Sequence, residues 1–144
     1  MSDLYEGDIL LWSERQAELL RRRAAGKLVN ETELDWPNIA EEIEDVGRSE
    51  LRSCRSLLRQ ALRHVLKAEA WPQSRDAPTW RADAIDFRRQ ARDAFAPSMR
   101  QKIDLAGLYD DALAALPDTL DDQAPMPVSS NRTFTLDELL GDAQ

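Results

Sequence analysis

The chain carries one cysteine, one histidine and five glycines in 144 residues, and each scarcity removes a class of chemistry. Cys54 alone excludes an internal disulfide and fits a reducing compartment. His64 alone excludes histidine-rich zinc spacings and the paired Glu-x-x-His motifs of di-iron helical bundles. So little glycine leaves no phosphate-cradling loop and no G-x-S-x-G elbow, so no enzyme reading gains a positive signal. No apolar run reaches the ~18–20 residues of a membrane span. The start, Met1-Ser2-Asp3-Leu4-Tyr5-Glu6, is acidic and lacks the basic head of a signal peptide. No alternating strand pattern, internal repeat or low-complexity tract is present. These absences predict a cytoplasmic chain with no cofactor, no metal, no catalytic residues and no membrane partner.

What is present favours helix. Hydrophobic residues make up 42% and charged residues 32%, with Ala, Leu, Arg, Glu and Asp prominent. The length suits one helical domain over 1–144. Charge is segregated: residues 1–47 hold 5 Lys and Arg against 12 Asp and Glu, 48–102 hold 13 against 6, and 103–144 hold 1 against 9. The net charge of −8 repels polyanions in bulk, although a local basic patch can override it.

Periodicity and punctuation predict four main helices and a short fifth. The first runs over 8–25, with Ile9, Trp12, Gln16, Leu19, Leu20 and Arg23 on one period, Gly26 as its stop and Arg21-Arg22-Arg23 as a solvated, dipole-matched end. Residues 30–35 are polar connection with room for a helical turn. Trp36-Pro37 opens a long helix reaching Ala70. Its apolar stripe is Ile39, Ile43 and Val46, then Leu51, Cys54, Leu58, Leu62 and Val65, and Gly47 marks a bend or break. A third helix, capped by Thr79, runs to Phe95 with Trp80, Ala84, Phe87 and Ala91 on one side. Ser98 and Gln101 read as a capping box for a fourth, ending near Pro117, with Ile103, Ala106, Tyr109, Leu113 and Leu116 inward. Residues 118–133 form a surface loop. Thr135 and Glu138 then form a capping box, with Phe134 and Leu139 at staple positions, for a short final helix that must dock to persist. The fold class expected is therefore all-α: a multihelical bundle with one long central helix.

Three stretches resemble a known family. The opening Tyr5-Glu6 with Asp8, Trp12 and Gln16-Ala17-Glu18-Leu19-Leu20 is one. The run Asn38-Ile39-Ala40-Glu41-Glu42-Ile43-Glu44-Asp45-Val46-Gly47-Arg48-Ser49-Glu50 is the most specific. His64-Val65-Leu66-Lys67 with Trp80-Arg81, and the closing Thr135-Leu136-Asp137-Glu138-Leu139-Leu140, complete the set. The order resembles the bacterial domain-of-unknown-function family 29. The resemblance implies a multihelical bacterial protein and brings no catalytic or binding residues with it.

Candidate sites compete with plainer explanations. Glu41, Glu42, Glu44 and Asp45 could meet a divalent ion, but acid early in a helix already answers the dipole, and Glu44 and Arg48 form an i,i+4 pair. His64 falls on the inward side of the long helix, where a hydrogen-bonded core histidine is the plain reading and a general base the sharper one. Cys54 points into the apolar arc as a small hydrophobe. Trp12, Trp36, Trp71 and Trp80 pack at helix ends, or Trp71 and Trp80, flanking the Pro-rich connector, anchor a partner.

The strongest pattern is the line Arg48, Arg52, Arg55, Arg59, Arg63 and Lys67, which recurs every three or four residues and lies roughly opposite the apolar arc. Arg81, Arg88, Arg89 and Arg92 on the next helix could extend it into a groove for phosphate backbones. The alternative is neutralisation by the acidic first and fourth helices, or by a second copy. The reading favoured is non-enzymatic association, with itself or another protein. Arg52, Arg55, Arg59 and Arg63 form the contact line and Trp71 and Trp80 the anchors. A nucleic-acid-associated regulator is the alternative, and a metal-dependent hydrolase using Glu41, Asp45 and His64 a third.

Overall fold

A computed structural model describes residues 2–129 and 135–141. It is all-α: α1 (Ser2–Gly7), α2 (Ile9–Ala24), α3 (Trp36–Ala70), α4 (Ala77–Ala94), α5 (Leu105–Ala114) and α6 (Leu136–Leu140), with no strand among the described residues. The four main helices and the short terminal one match the sequence expectation, and α1 adds a helix that the pattern did not announce. Contacts group into two compact units, Met1–Arg48 and Ser49–Gln144. α3 is a single helix of 35 residues that runs unbroken through Gly47, and the division between units falls one residue beyond that glycine.

In the first unit, local chemistry sets the ends of α2. The Asp8 carboxylate accepts from the Leu11 N–H at 3.0 Å, and Gly26, at φ +79°, turns the chain out of the helix as glycine does at low steric cost. Arg23 at that end pairs with Glu31 and stands 5.8 Å from the Trp36 ring. Trp12, Leu34 and Ile39 form a small core, with Tyr5, Leu19, Leu20 and Val29 packed on it. Tyr5 meets Trp12 edge-on at 4.8 Å and donates its hydroxyl hydrogen to Glu42. Gln16, read as part of a mainly apolar side, is instead a buried polar clip. Its amide donates to the Glu33 carbonyl at 3.0 Å and its oxygen accepts from the Asp35 N–H at 2.9 Å, so both ends are satisfied where burial would otherwise cost free energy.

The expected apolar stripe of α3 holds at Ile39 and again at Cys54, Leu58 and Leu62, and fails between them at Ile43 and Val46. Ile39 is buried, whereas Ile43 and Val46 are 68% and 67% exposed. A residue on the apolar side of a helix is covered only where a neighbour stands beside that turn, and periodicity along one element does not report neighbours.

The second unit has the larger core. Cys54, Leu58, Leu62 and Leu66 of α3 are fully buried against Ala91, Met99, Leu108, Tyr109, Ala112, Leu139 and Leu140. Burying a leucine contributes about 1.5–3 kcal/mol. Ala68, Ala70, Trp71, Ala77 and Trp80 make a second cluster. Residues 118–129 are irregular, as expected, and are strapped to the end of α3 by the Met126 N–H on the Ala70 carbonyl at 2.8 Å. They turn through Asp121 and Asp122, both left-handed.

Two helix starts differ from expectation. α4 begins at Ala77 rather than after Thr79, with Pro78 in its first turn where a missing N–H is harmless. The fourth long helix does not start at Ser98. A 3-10 turn, Pro97–Met99, comes first, and α5 begins only after Asp104, whose carboxylate accepts from the Gly107 N–H at 3.1 Å. Aspartate is a strong N-cap, and it resets the register, so Leu108 and Ala112 turn inward with Tyr109 while Ala106 is exposed. The Thr135–Glu138 capping box forms as read. Phe134, its expected staple partner, lies outside the described residues.

Candidate cationic groove

The line of cations divides into three environments. Arg48 is spent locally, 2.6 Å from Glu41 and 3.0 Å from Asp45; the Asp45 hydrogen bond first, then Glu41 and Glu44, hold its guanidinium more firmly charged than usual. Lys67 lies 4.7 Å over the Trp80 ring, a cation–π contact. Arg52, Arg55 and Arg59 are exposed and Arg63 is half-buried. Among the described residues none of these four makes an ion pair or side-chain hydrogen bond. The expected neutralisation by an acidic fourth helix is therefore not found. Surface ion pairs are worth only about 0–1 kcal/mol each, so little drives the molecule to close them.

Arg52, Arg55 and Arg59 instead form one wall of an open groove of about 590 Å³. Ser49, Ser53 and Ser56 line the groove with them, and α5 supplies the other wall with Leu108 and Asp111. The line thus flanks the apolar arc and does not lie opposite it. At about 100° per residue, exposed Arg55 and fully buried Leu62 are seven positions, and so about 20°, apart in projection; coverage changes along the axis as well as around it. Sequence reasoning missed the serines, although three Arg-Ser dipeptides (48–49, 52–53 and 55–56) mark the same face, and it could not see Leu108 and Asp111 on another helix.

Other candidates resolve differently. Trp71 and Trp80 are 5% and 8% exposed, which removes them as surface anchors. Small neighbours (Ala68, Ala70 and Ala77) leave room for both rings, and the Trp71 indole N–H donates to the Gln123 carbonyl at 3.0 Å, so its polar edge is satisfied inside. On α4, Arg88 donates to the carbonyls of Leu139 and Glu138 at 2.6 and 2.9 Å, and Arg92 to that of Gly141 at 3.3 Å. These two cations cap α6 and do not extend the groove.

His64 donates from Nδ1 to the Gln60 carbonyl at 2.7 Å, because a carbonyl only accepts. Its Nε2 stands 3.9 Å from Asp83, and the Phe87 ring is 5.2 Å away. Asp83 is a neighbour that periodicity on α3 could not supply. The Cys54 thiol donates to the Ala91 carbonyl, and burial pushes its pKa up, so it is held as an inert thiol. Glu41 and Asp45 are already engaged by Arg48. No group of three or more His, Cys, Asp or Glu among the described residues is placed to hold a metal ion. No helix among them is long and apolar enough to cross a membrane.

Fold and site together define an all-α, multihelical chain with an open arginine–serine groove. The chain belongs to the family described as Domain of unknown function DUF29, whose model matches residues 4–143. It is also similar to an alpha-helical protein of unknown function from Rhodospirillum rubrum, known from a crystal structure. The two are 31% identical over 96% of each chain, with a TM-score of 0.56. No curated protein matches.

Proposed function

We propose that this protein is a non-enzymatic association module of the bacterial cytoplasm, and that Arg52, Arg55 and Arg59 bind an acidic protein surface. A second copy is the partner at hand, since residues 1–47 and 103–144 carry net charges of −7 and −8. The observation carrying the reading is that three exposed guanidiniums on consecutive turns have no acidic partner among the described residues of their own chain. Arginine offers a planar fork of donors that fits carboxylates in pairs. Charge matching of this kind sets orientation and partner choice more than raw affinity. Arg63, half-buried beside the core, supports the line from its end.

The test is the mass in solution of the triple variant Arg52→Gln, Arg55→Gln, Arg59→Gln against the parent chain, by light scattering over a protein dilution series. The expected result is an oligomer for the parent and a monomer for the variant, with unchanged helical circular dichroism. Equal masses at every concentration overturn the reading.

A further inference from the structure

We propose that the groove between α3 and α5 also binds a small molecule bearing a diphosphate group. Arg52, Arg55 and Arg59 occupy positions i, i+3 and i+7, so their Cα atoms span about 10.5 Å of helix axis at 1.5 Å per residue. One carboxylate engages a single guanidinium bidentately, and one phosphate reaches two. Two linked phosphoryl groups present enough acceptor oxygens, and enough negative charge, for all three.

Ser49, Ser53 and Ser56 line the same space, and hydroxyls donate to phosphoryl oxygens without adding charge. Leu108 gives an apolar wall for the organic part of the ligand. A volume near 590 Å³ falls within the ~300–1,000 Å³ of small-molecule clefts.

The surroundings argue for a short anion over a long one. Several cations beyond the groove are committed elsewhere: Arg48 to Glu41 and Asp45, Lys67 to the Trp80 face, and Arg88 and Arg92 to α6. Of the line on α3, both ends, Arg48 and Lys67, are thereby withdrawn from a polyanion backbone. The lining holds no aromatic ring of the kind that stacks single-stranded bases. Asp111 stands on the far wall without an ion pair to any of the three arginines. Its negative charge opposes the ligand and weakens binding to a level that can respond to ligand concentration.

The site uses the same three arginines as the association reading, so a second copy and a diphosphate compete for them. The titration is therefore made at a concentration where light scattering shows the chain to be a monomer. A chain that stays monomeric at every concentration and binds diphosphate sinks only that reading, and a dilute monomer that ignores diphosphate sinks only this one. The experiment is calorimetric titration of the full chain with inorganic pyrophosphate, inorganic phosphate and sulfate, at fixed ionic strength and without divalent metal. Pyrophosphate is expected to bind at least ~10-fold more tightly than either single anion.

Arg55→Gln is expected to weaken pyrophosphate about tenfold, the effect of losing one charge-assisted hydrogen bond. Asp111→Asn tightens it severalfold, and Arg81→Gln, outside the groove, leaves it unchanged. Arg52→Gln replaces Arg55→Gln should the latter alter the circular dichroism. Equal binding of phosphate and pyrophosphate, or indifference to either groove substitution, overturns the proposal.

Discussion

Asp35, just ahead of α3, gathers the polar contacts of the first unit. Its carboxylate accepts from the Asn38 amide at 2.8 Å and the Trp12 indole at 3.1 Å, and its own N–H donates to Gln16. The Asn38 hydrogen bond, with that of Trp12, holds the carboxyl below its ordinary pKa while partial burial acts the other way. A carboxylate whose folded pKa is depressed contributes stability above its unfolded pKa, near 3.9, and loses it as pH falls through the folded value. Asp35→Ala is therefore expected to cost about 1–2 kcal/mol at neutral pH, chiefly by leaving the Trp12 N–H without its acceptor. The difference between variant and parent should shrink steadily below about pH 4. Urea denaturation at pH 7, 5 and 3 measures it, and a gap that stays constant with pH refutes the role given to this carboxylate.

At the scale of elements, α6 depends on what it docks against. Five residues cannot hold a helix in water, and here Leu139 and Leu140 are buried while Arg88 and Arg92 take up the last carbonyls. Those cations oppose the negative end of the helix dipole and satisfy acceptors that have no intrahelical partner. Arg88→Ala is expected to cost about 1.5–3 kcal/mol and to release the terminal helix ahead of the rest. Amide exchange should then accelerate at residues 136–141 and stay slow in α3; uniform acceleration, or none, goes against this. Sequence foretold the helix itself, because Thr135 and Glu138 satisfy each other's backbone within one turn, and contacts that close over a few residues are written locally. The ends of α2 and α3 were legible for the same reason, through Asp8, Gly26 and Trp36-Pro37. The start of α5 was not, because Ser98 and Asp104 both offer a cap and only the packing of Leu108 and Ala112 chooses between them. The exposure of Ile43 and Val46, the burial of Trp71 and Trp80, the Asp83 beside His64 and the second wall of the groove all depend on which helix stands next to which. No single period contains that information.

Over the whole molecule, a basic groove sits in a chain of net charge −8, so attraction and repulsion act over different ranges. Two copies repel at long distance, and the guanidiniums attract carboxylates only near contact. The Debye length is about 30 Å at 0.01 M salt, about 8 Å at 0.15 M and about 3 Å at 1 M. Low salt therefore leaves the long-range repulsion intact, intermediate salt screens it while sparing the contacts, and high salt weakens both. Self-association should accordingly peak near physiological ionic strength and fall on either side. Binding of the basic middle to nucleic acid predicts a different curve, a linear fall of log affinity with log salt from the lowest concentration upward. Sedimentation of the chain alone from about 0.01 to 1 M sodium chloride traces the first curve, and filter binding to duplex DNA over the same range traces the second. A mass that declines monotonically from the lowest salt, with steep salt-sensitive DNA retention beside it, would move the arginine face from protein to phosphate backbone. A maximum at intermediate salt, abolished in the Arg52, Arg55 and Arg59 triple variant, requires an acidic protein surface as its partner.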